Sequence, residues 1–115
     1  MTAAALSAAD VVQGQLDAYN AQDLDAFCAF YAHDAVLASY GGAVLAEGLA
    51  AIRERHAKLF AEFPQNKAEL LNRIAVGSNV IDHEHVTRNP GGDTFYVAAI
   101  YTLAGGKIAR VDFVK

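Results

Sequence analysis

At 115 residues the chain has room for one domain built on a single modest core. Hydrophobic residues make up 54% and charged residues 19%, which excludes a disordered chain. A formal net charge of −4, with nine basic residues scattered singly, excludes the basic stripe that nucleic acid or an anionic membrane surface requires.

The opening stretch MTAAALSAADVV has no positive n-region and meets Asp10 and Gln13 before an apolar run can form. It reads as neither a signal peptide nor a spanning helix, and cytoplasmic residence is expected. Ser7 followed by Asp10 reads as a capping box, after which Val11, Val12, Leu16 and Tyr19 recur at helical spacing to Asn20. Beyond the AQD break, Leu24, Phe27, Cys28, Phe30 and Tyr31 form the stripe of a short second helix, capped by Asp23 and ending near His33-Asp34. Cys28 is the only cysteine, so an internal disulfide and a CxxC pair are both excluded. Among aromatic neighbours it reads as a small buried hydrophobe.

Residues 35–40 and 43–46 flank Gly41-Gly42 as a short hairpin. From Gly48 the residues Leu49, Ile52, Leu59, Phe60 and Phe63 mark a third helix, stopped by Pro64. The period then changes from helical to alternating. Residues 66–76, 79–88, 93–103 and 107–114 read as four strands joined by Gly77-Ser78, Asn89-Pro90-Gly91-Gly92 and Gly105-Gly106, an antiparallel meander. Helices in the first half and strands in the second define an α+β fold, a six-stranded sheet curved around its helices with a hollow between them.

The segments DAYNAQDLDAFCAFYAHDAV (17–36), EGLAAIRERH (47–56) and GGKIARVDFV (105–114) give a more specific expectation. Together, over nearly the whole chain, the sequence resembles the nuclear transport factor 2-like superfamily, in its SnoaL-like and ketosteroid-isomerase-like group. The resemblance implies a single domain over residues 1–115, with a cone-shaped, mostly antiparallel six-stranded sheet wrapped around three helices. It also implies a largely apolar cavity and a homodimer formed through the outer sheet face. The superfamily carries isomerases, polyketide cyclases, epoxide hydrolases, dehydratases and non-catalytic binding modules, so the chemistry must come from the site. The isomerase's tyrosine and base fall on Gln15 and Ser39, and its acidic donor on Ala99 or its neighbour. The epoxide-hydrolase arginine falls on Glu84 and its two aspartates on Val86 and Phe113. Neither constellation is present.

The polar residues of this chain are concentrated in VIDHEHVT, residues 80–87, which by composition is a metal site, an acid–base catalyst or the wet side of a sheet. Alternation puts Val80, Asp82, Glu84 and Val86 on one face and Ile81, His83, His85 and Thr87 on the other. The family register turns the first set inward. His56, in the apolar series of the third helix, points toward the same hollow, at the place of a tyrosine that supports the isomerase's oxyanion site. Two carboxylates in such a hollow cannot both ionise cheaply, so the pKa of one, Glu84, is expected to rise toward neutrality. Pairing of either acid with Arg73 or Arg88 is the competing account. His83 and His85 have the spacing of two metal ligands but no evident third, and their face is the outer one. Arg110 and Asp112 share the outer face of the last strand, opposite Val111 and Phe113.

The expected cavity lining is Gln15, Tyr19, Ser39, Tyr40, His56, Phe60, Asp82, Glu84, Val86, Ala99, Val111 and Phe113. The expected activity is proton transfer on a small apolar carbonyl compound, of isomerase or cyclase type. Glu84 serves as base or acid, His56 as its partner and Asp82 as its tuner, with no cofactor or metal. The alternative is a non-catalytic module that binds an apolar ligand or dimerises, its acids held by arginines.

Overall fold

Six strands form one sheet in the order β2-β1-β6-β5-β4-β3, with three helices on its concave side. In the computed structural model, which describes residues 6–115, these are α1 (Ala8–Ala21), α2 (Leu24–Ala29), β1 (Tyr31–Ser39), β2 (Val44–Glu47) and α3 (Leu49–Glu62). The meander β3 (Lys67–Val76), β4 (Asn79–Thr87), β5 (Thr94–Ala104) and β6 (Lys107–Val114) completes it. All pairings are antiparallel except β1 with β6. The expected α+β cone is therefore the observed fold. The first five residues of the segment read above as neither leader nor anchor lie outside the described residues. Among those described, no helix is long and apolar enough to cross a membrane.

The local signals account for most boundaries. Ser7 accepts from the Asp10 backbone at 3.1 Å while Asp10 accepts from the Ser7 backbone at 3.3 Å, so the capping box satisfies two donors that the helix start would orphan. Asp23 caps α2 through the Ala26 N–H at 3.1 Å. α3 ends two residues before Pro64.

One boundary differs from expectation. α2 stops at Ala29 and β1 begins at Tyr31, so the residues read as the last helical turn are strand. The Phe30 carbonyl accepts from the Ile108 N–H at 2.9 Å, and Tyr31 stands opposite Ile108 in the sheet. Pairing with β6 captures backbone groups that helical spacing alone would have kept in α2. Tyr31 still faces the core, because both geometries turn it inward.

The main core lies between the helices and the sheet, with Val12, Phe27, Leu37, Ile52, Val80, Ile108 and Val111 almost completely buried. Cys28 belongs to it. α1 is also fastened to the β3 edge by Asn20, whose side-chain amide donates to the Ala68 carbonyl at 2.9 Å and whose oxygen accepts from the Ala68 N–H at 2.8 Å. That side chain continues the sheet's hydrogen-bond ladder by one rung.

Candidate active site

β4 supplies two adjacent inward carboxylates, and the sheet treats them differently. Asp82 is fully buried and Glu84 is 6% exposed. β3 carries a bulge between Leu70 and Asn72, so Leu70 stands opposite Glu84 but Arg73, three residues on, stands opposite Asp82. Without the extra residue Arg73 would project to the outer face. With it, the Arg73 guanidinium reaches Asp82 by two parallel bonds, Nε to Oδ1 at 2.7 Å and Nη2 to Oδ2 at 2.9 Å. Its remaining nitrogen donates to Gln13 on α1 at 2.9 Å.

Glu84 receives no such partner. Its Oε2 is buried without a hydrogen bond, alone among the buried side-chain polar atoms of the described residues. Burial pushes the Glu84 pKa up to about 7, the neighbouring charge of Asp82 adds to the rise, and Arg73 opposes it. The competing account, pairing with an arginine, is thus realised for Asp82 and not for Glu84.

Glu84 lines a cavity of about 650 Å³ between α1, α3 and the sheet. Gln15 bridges two tyrosines in its wall. It accepts from the Tyr31 hydroxyl at 3.0 Å and donates to the Tyr101 oxygen at 3.0 Å, with a second, longer bond to the Val12 carbonyl at 3.3 Å. Because Tyr101 accepts from Gln15, its own proton remains free to donate. Burial, reinforced by the charge of Glu84, holds both phenols well above the ordinary tyrosine pKa, so they stay protonated.

His56 faces the same space from α3. Its Nδ1 donates to the Ile52 carbonyl at 2.8 Å, which leaves Nε2 as the unprotonated, accepting nitrogen. Phe27 packs on the ring at 4.4 Å between centroids, with Tyr19 and Phe60 edge-on. Burial lowers the His56 pKa to about 4, with Arg55 and Arg88 pressing in the same direction, so the imidazole is neutral across the physiological range.

Of the expected lining residues, Gln15, Tyr19, Ser39, Tyr40, His56, Glu84, Val86 and Phe113 border the cavity. Asp82, Ala99 and Val111 face inward but are sealed in the core behind it, and Phe60 packs beside it on Tyr19 and His56. Tyr101 and Arg88 also border the cavity; neither was among the expected lining residues, and Arg88 entered only as a possible partner of the acids, which it does not reach. Tyr101 was accessible to such reasoning, since it shares a strand face with Val97 and Ala99. His83 and His85 lie on the outer face against Tyr96, at 5.9 and 4.7 Å between ring centroids. Arg110 and Asp112 pair with each other on that side.

The fold is a nuclear transport factor 2-like scaffold, a helix-lined cone whose cavity is bordered by an unpaired carboxyl, a neutral imidazole and oriented hydroxyls. The SnoaL-like domain family matches residues 12–111, and the chain belongs to that family. No curated protein matches it in sequence. Among solved structures, an uncharacterised cystatin-fold protein from Novosphingobium aromaticivorans is 38% identical. The match covers 96% of this chain and 99% of that one, with a TM-score of 0.91. A candidate polyketide cyclase from Sinorhizobium meliloti is 27% identical over 91% of this chain and 94% of its own, with a TM-score of 0.78. A protein with a ketosteroid-isomerase-like fold from Catenulispora acidiphila shares the fold, at 16% identity over 92% and 85% of the two chains and a TM-score of 0.72.

Proposed function

We propose that the cavity is the active site of a cofactor-independent isomerase or cyclase-type enzyme that moves a proton on an apolar carbonyl compound. The observation that carries this is Glu84, a buried carboxyl with an orphan oxygen and a pKa near 7, in the wall of a cavity large enough for a substrate. Such a group holds its proton weakly enough to lose it and strongly enough to take one from carbon.

In this reading the ionised Glu84 removes a proton from the carbon next to the carbonyl, and the bonding pair moves onto the carbonyl oxygen. The free Tyr101 proton, oriented through Gln15, donates a hydrogen bond to the negative charge developing on that oxygen. Glu84 then returns the proton to another carbon of the same molecule, so atoms and charge balance without a second reactant. His56 contributes an acceptor at Nε2 that orients a substrate hydroxyl or the enol form. Asp82 acts at one remove, its charge raising the Glu84 pKa.

The test is deuterium uptake by β-diketones or β,γ-unsaturated ketones in heavy water, followed by NMR. Glu84→Gln is expected to slow enzyme-catalysed uptake by about 100-fold or more. Uptake unchanged in that variant would sink the reading. It would favour a second one, a binding module in which protonated Glu84 simply donates a hydrogen bond to a ligand carbonyl.

We further propose that the protein pairs through the outer sheet face, the arrangement the resemblance implies. Ile74 and Ile81 stand opposite each other there and are 54% and 37% exposed, and Tyr96 nearby is 61% exposed. Apolar side chains held side by side on an open sheet are relieved of water by a second such surface.

A further inference from the structure

The mouth of the cavity is positive although the chain as a whole carries a net charge of −4. Arg55, Lys58, Arg88 and Lys115 border it, against Glu62 as the carboxylate at the rim. Lys58 is engaged by Glu54 at 3.2 Å. Arg55, Arg88 and Lys115 have no carboxylate partner among the described residues. Burial depresses the Lys115 pKa, and the nearby charges of Arg88 and Arg55 add to the fall.

Arg88 is not a loose surface cation. Its Nη1 donates to the Asn66 oxygen at 2.8 Å and to the Tyr19 hydroxyl at 3.3 Å, and the Asn66 amide donates to that same hydroxyl at 2.7 Å. Asn66 is completely buried, so a fully desolvated amide is spent on aiming one guanidinium. Phe95 supports the group from below, with Arg88 5.0 Å and Lys115 4.8 Å from its ring centre. The Nε and Nη2 donors of Arg88 have no protein partner among the described residues, and two adjacent donors on a fixed guanidinium match the two oxygens of a carboxylate.

The interior has the opposite character. Its deep polar groups are Glu84, the tyrosine hydroxyls, Gln15 and neutral His56, none of them cationic, so an anion placed there would face a carboxyl without a counter-charge. The site is polarised end to end.

We propose that the substrate is an amphiphilic organic acid, its apolar carbonyl-bearing body in the cavity and a carboxylate, remote from the reacting carbonyl, held at the mouth by Arg88 with Arg55 and Lys115. This rests on the cavity being the substrate site, as proposed above. It adds that the acid is selected over its neutral ester and that it enters body first. Arg55, Arg88 and Lys115 at one opening, none of them in an ion pair among the described residues, repel each other, and the bound carboxylate relieves that repulsion.

The test uses three ten-carbon probes that differ in head-group charge: decanoate, methyl decanoate and decyltrimethylammonium, titrated calorimetrically below their aggregation concentrations. Decanoate is expected to bind about tenfold tighter than the ester, with the cation weakest, at about 20 mM salt. The preference should shrink severalfold at about 0.5 M salt, where the Debye length is only a few ångströms. Arg88→Gln should erase the preference. Arg55→Gln, at an exposed position without a side-chain partner, should reduce it and serves where loss of the Asn66 contact disturbs folding. Equal binding of acid and ester, or no binding of decanoate, overturns the proposal whatever Glu84 does. Conversely, a decanoate preference together with unchanged deuterium uptake in Glu84→Gln leaves this proposal standing and removes the catalytic one.

Discussion

Arg73 closes both prongs of its guanidinium on Asp82, at 2.7 and 2.9 Å, across the β3–β4 pair. This one contact divides the labour between two acids that share a strand face. Asp82, compensated and out of reach of the cavity, becomes a fixed negative charge. Glu84, two residues along and uncompensated, becomes the group that titrates. Asp82→Asn removes the charge that helps to hold Glu84 protonated and leaves Arg73 to pull the other way. The Glu84 midpoint should therefore fall from about 7 toward the ordinary carboxylate range, measurable by carbon-detected NMR titration. Arg73→Met strands a buried charge and should destabilise the fold by about 3–5 kcal/mol in urea unfolding.

The pH dependence of stability carries two opposed contributions. Glu84 is raised in the fold from 4.5 to about 7, so its contribution is fully present below pH 4.5 and is lost as pH rises through 7. His56 is lowered from 6.5 to about 4, so its contribution is present above pH 6.5 and is lost as pH falls through 4. Each amounts to about 3 kcal/mol, and over most of the shared window they cancel. Single variants should expose them. Relative to the parent, Glu84→Gln should gain stability by about that amount as pH rises from 4.5 to 7, and His56→Phe should lose a similar amount from 4 to 6.5. Urea titrations at half-unit pH steps read both difference curves, and two flat curves would contradict the buried, opposed pair.

If the outer sheet face joins two copies, Ile81→Lys should put an unpaired charge from each copy into that apolar contact. Sedimentation velocity should show the parent protein as a dimer and the variant shifted to monomer by roughly tenfold or more in dissociation constant. A parent protein that sediments as a monomer at high micromolar concentration contradicts this surface assignment.

Much of this arrangement was legible in the residues, and the parts that were not have identifiable causes. The Ser7–Asp10 cap and the change of period after Pro64 are local patterns whose physics stays within a few residues, so they transferred directly. The two faces of VIDHEHVT followed from strand alternation, and the family register chose the inward one. The inward turn of Arg73 was hidden, because a bulge at Leu71 moves every later β3 side chain to the opposite face and leaves no mark in the alternation. The end of α2 was hidden for a related reason, since the bond that ends it comes from Ile108, at the far end of the chain. The positive mouth joins α3, the residue after β4 and the residue after β6, three places whose nearness only the closed cone reveals.

Glu84 is a buried, unpaired carboxyl, and its own titration tests most directly whether it is poised to exchange a proton. An NMR pH titration of selectively labelled protein, with the Glu84 side-chain carboxyl assigned by its loss in Glu84→Gln, should give a midpoint near 7. The His56 ring should remain unprotonated down to about pH 4 in the same samples. A Glu84 midpoint near the ordinary 4.5 would contradict the account, because a carboxyl that ionises freely is hydrated or paired and cannot be the proton carrier described here.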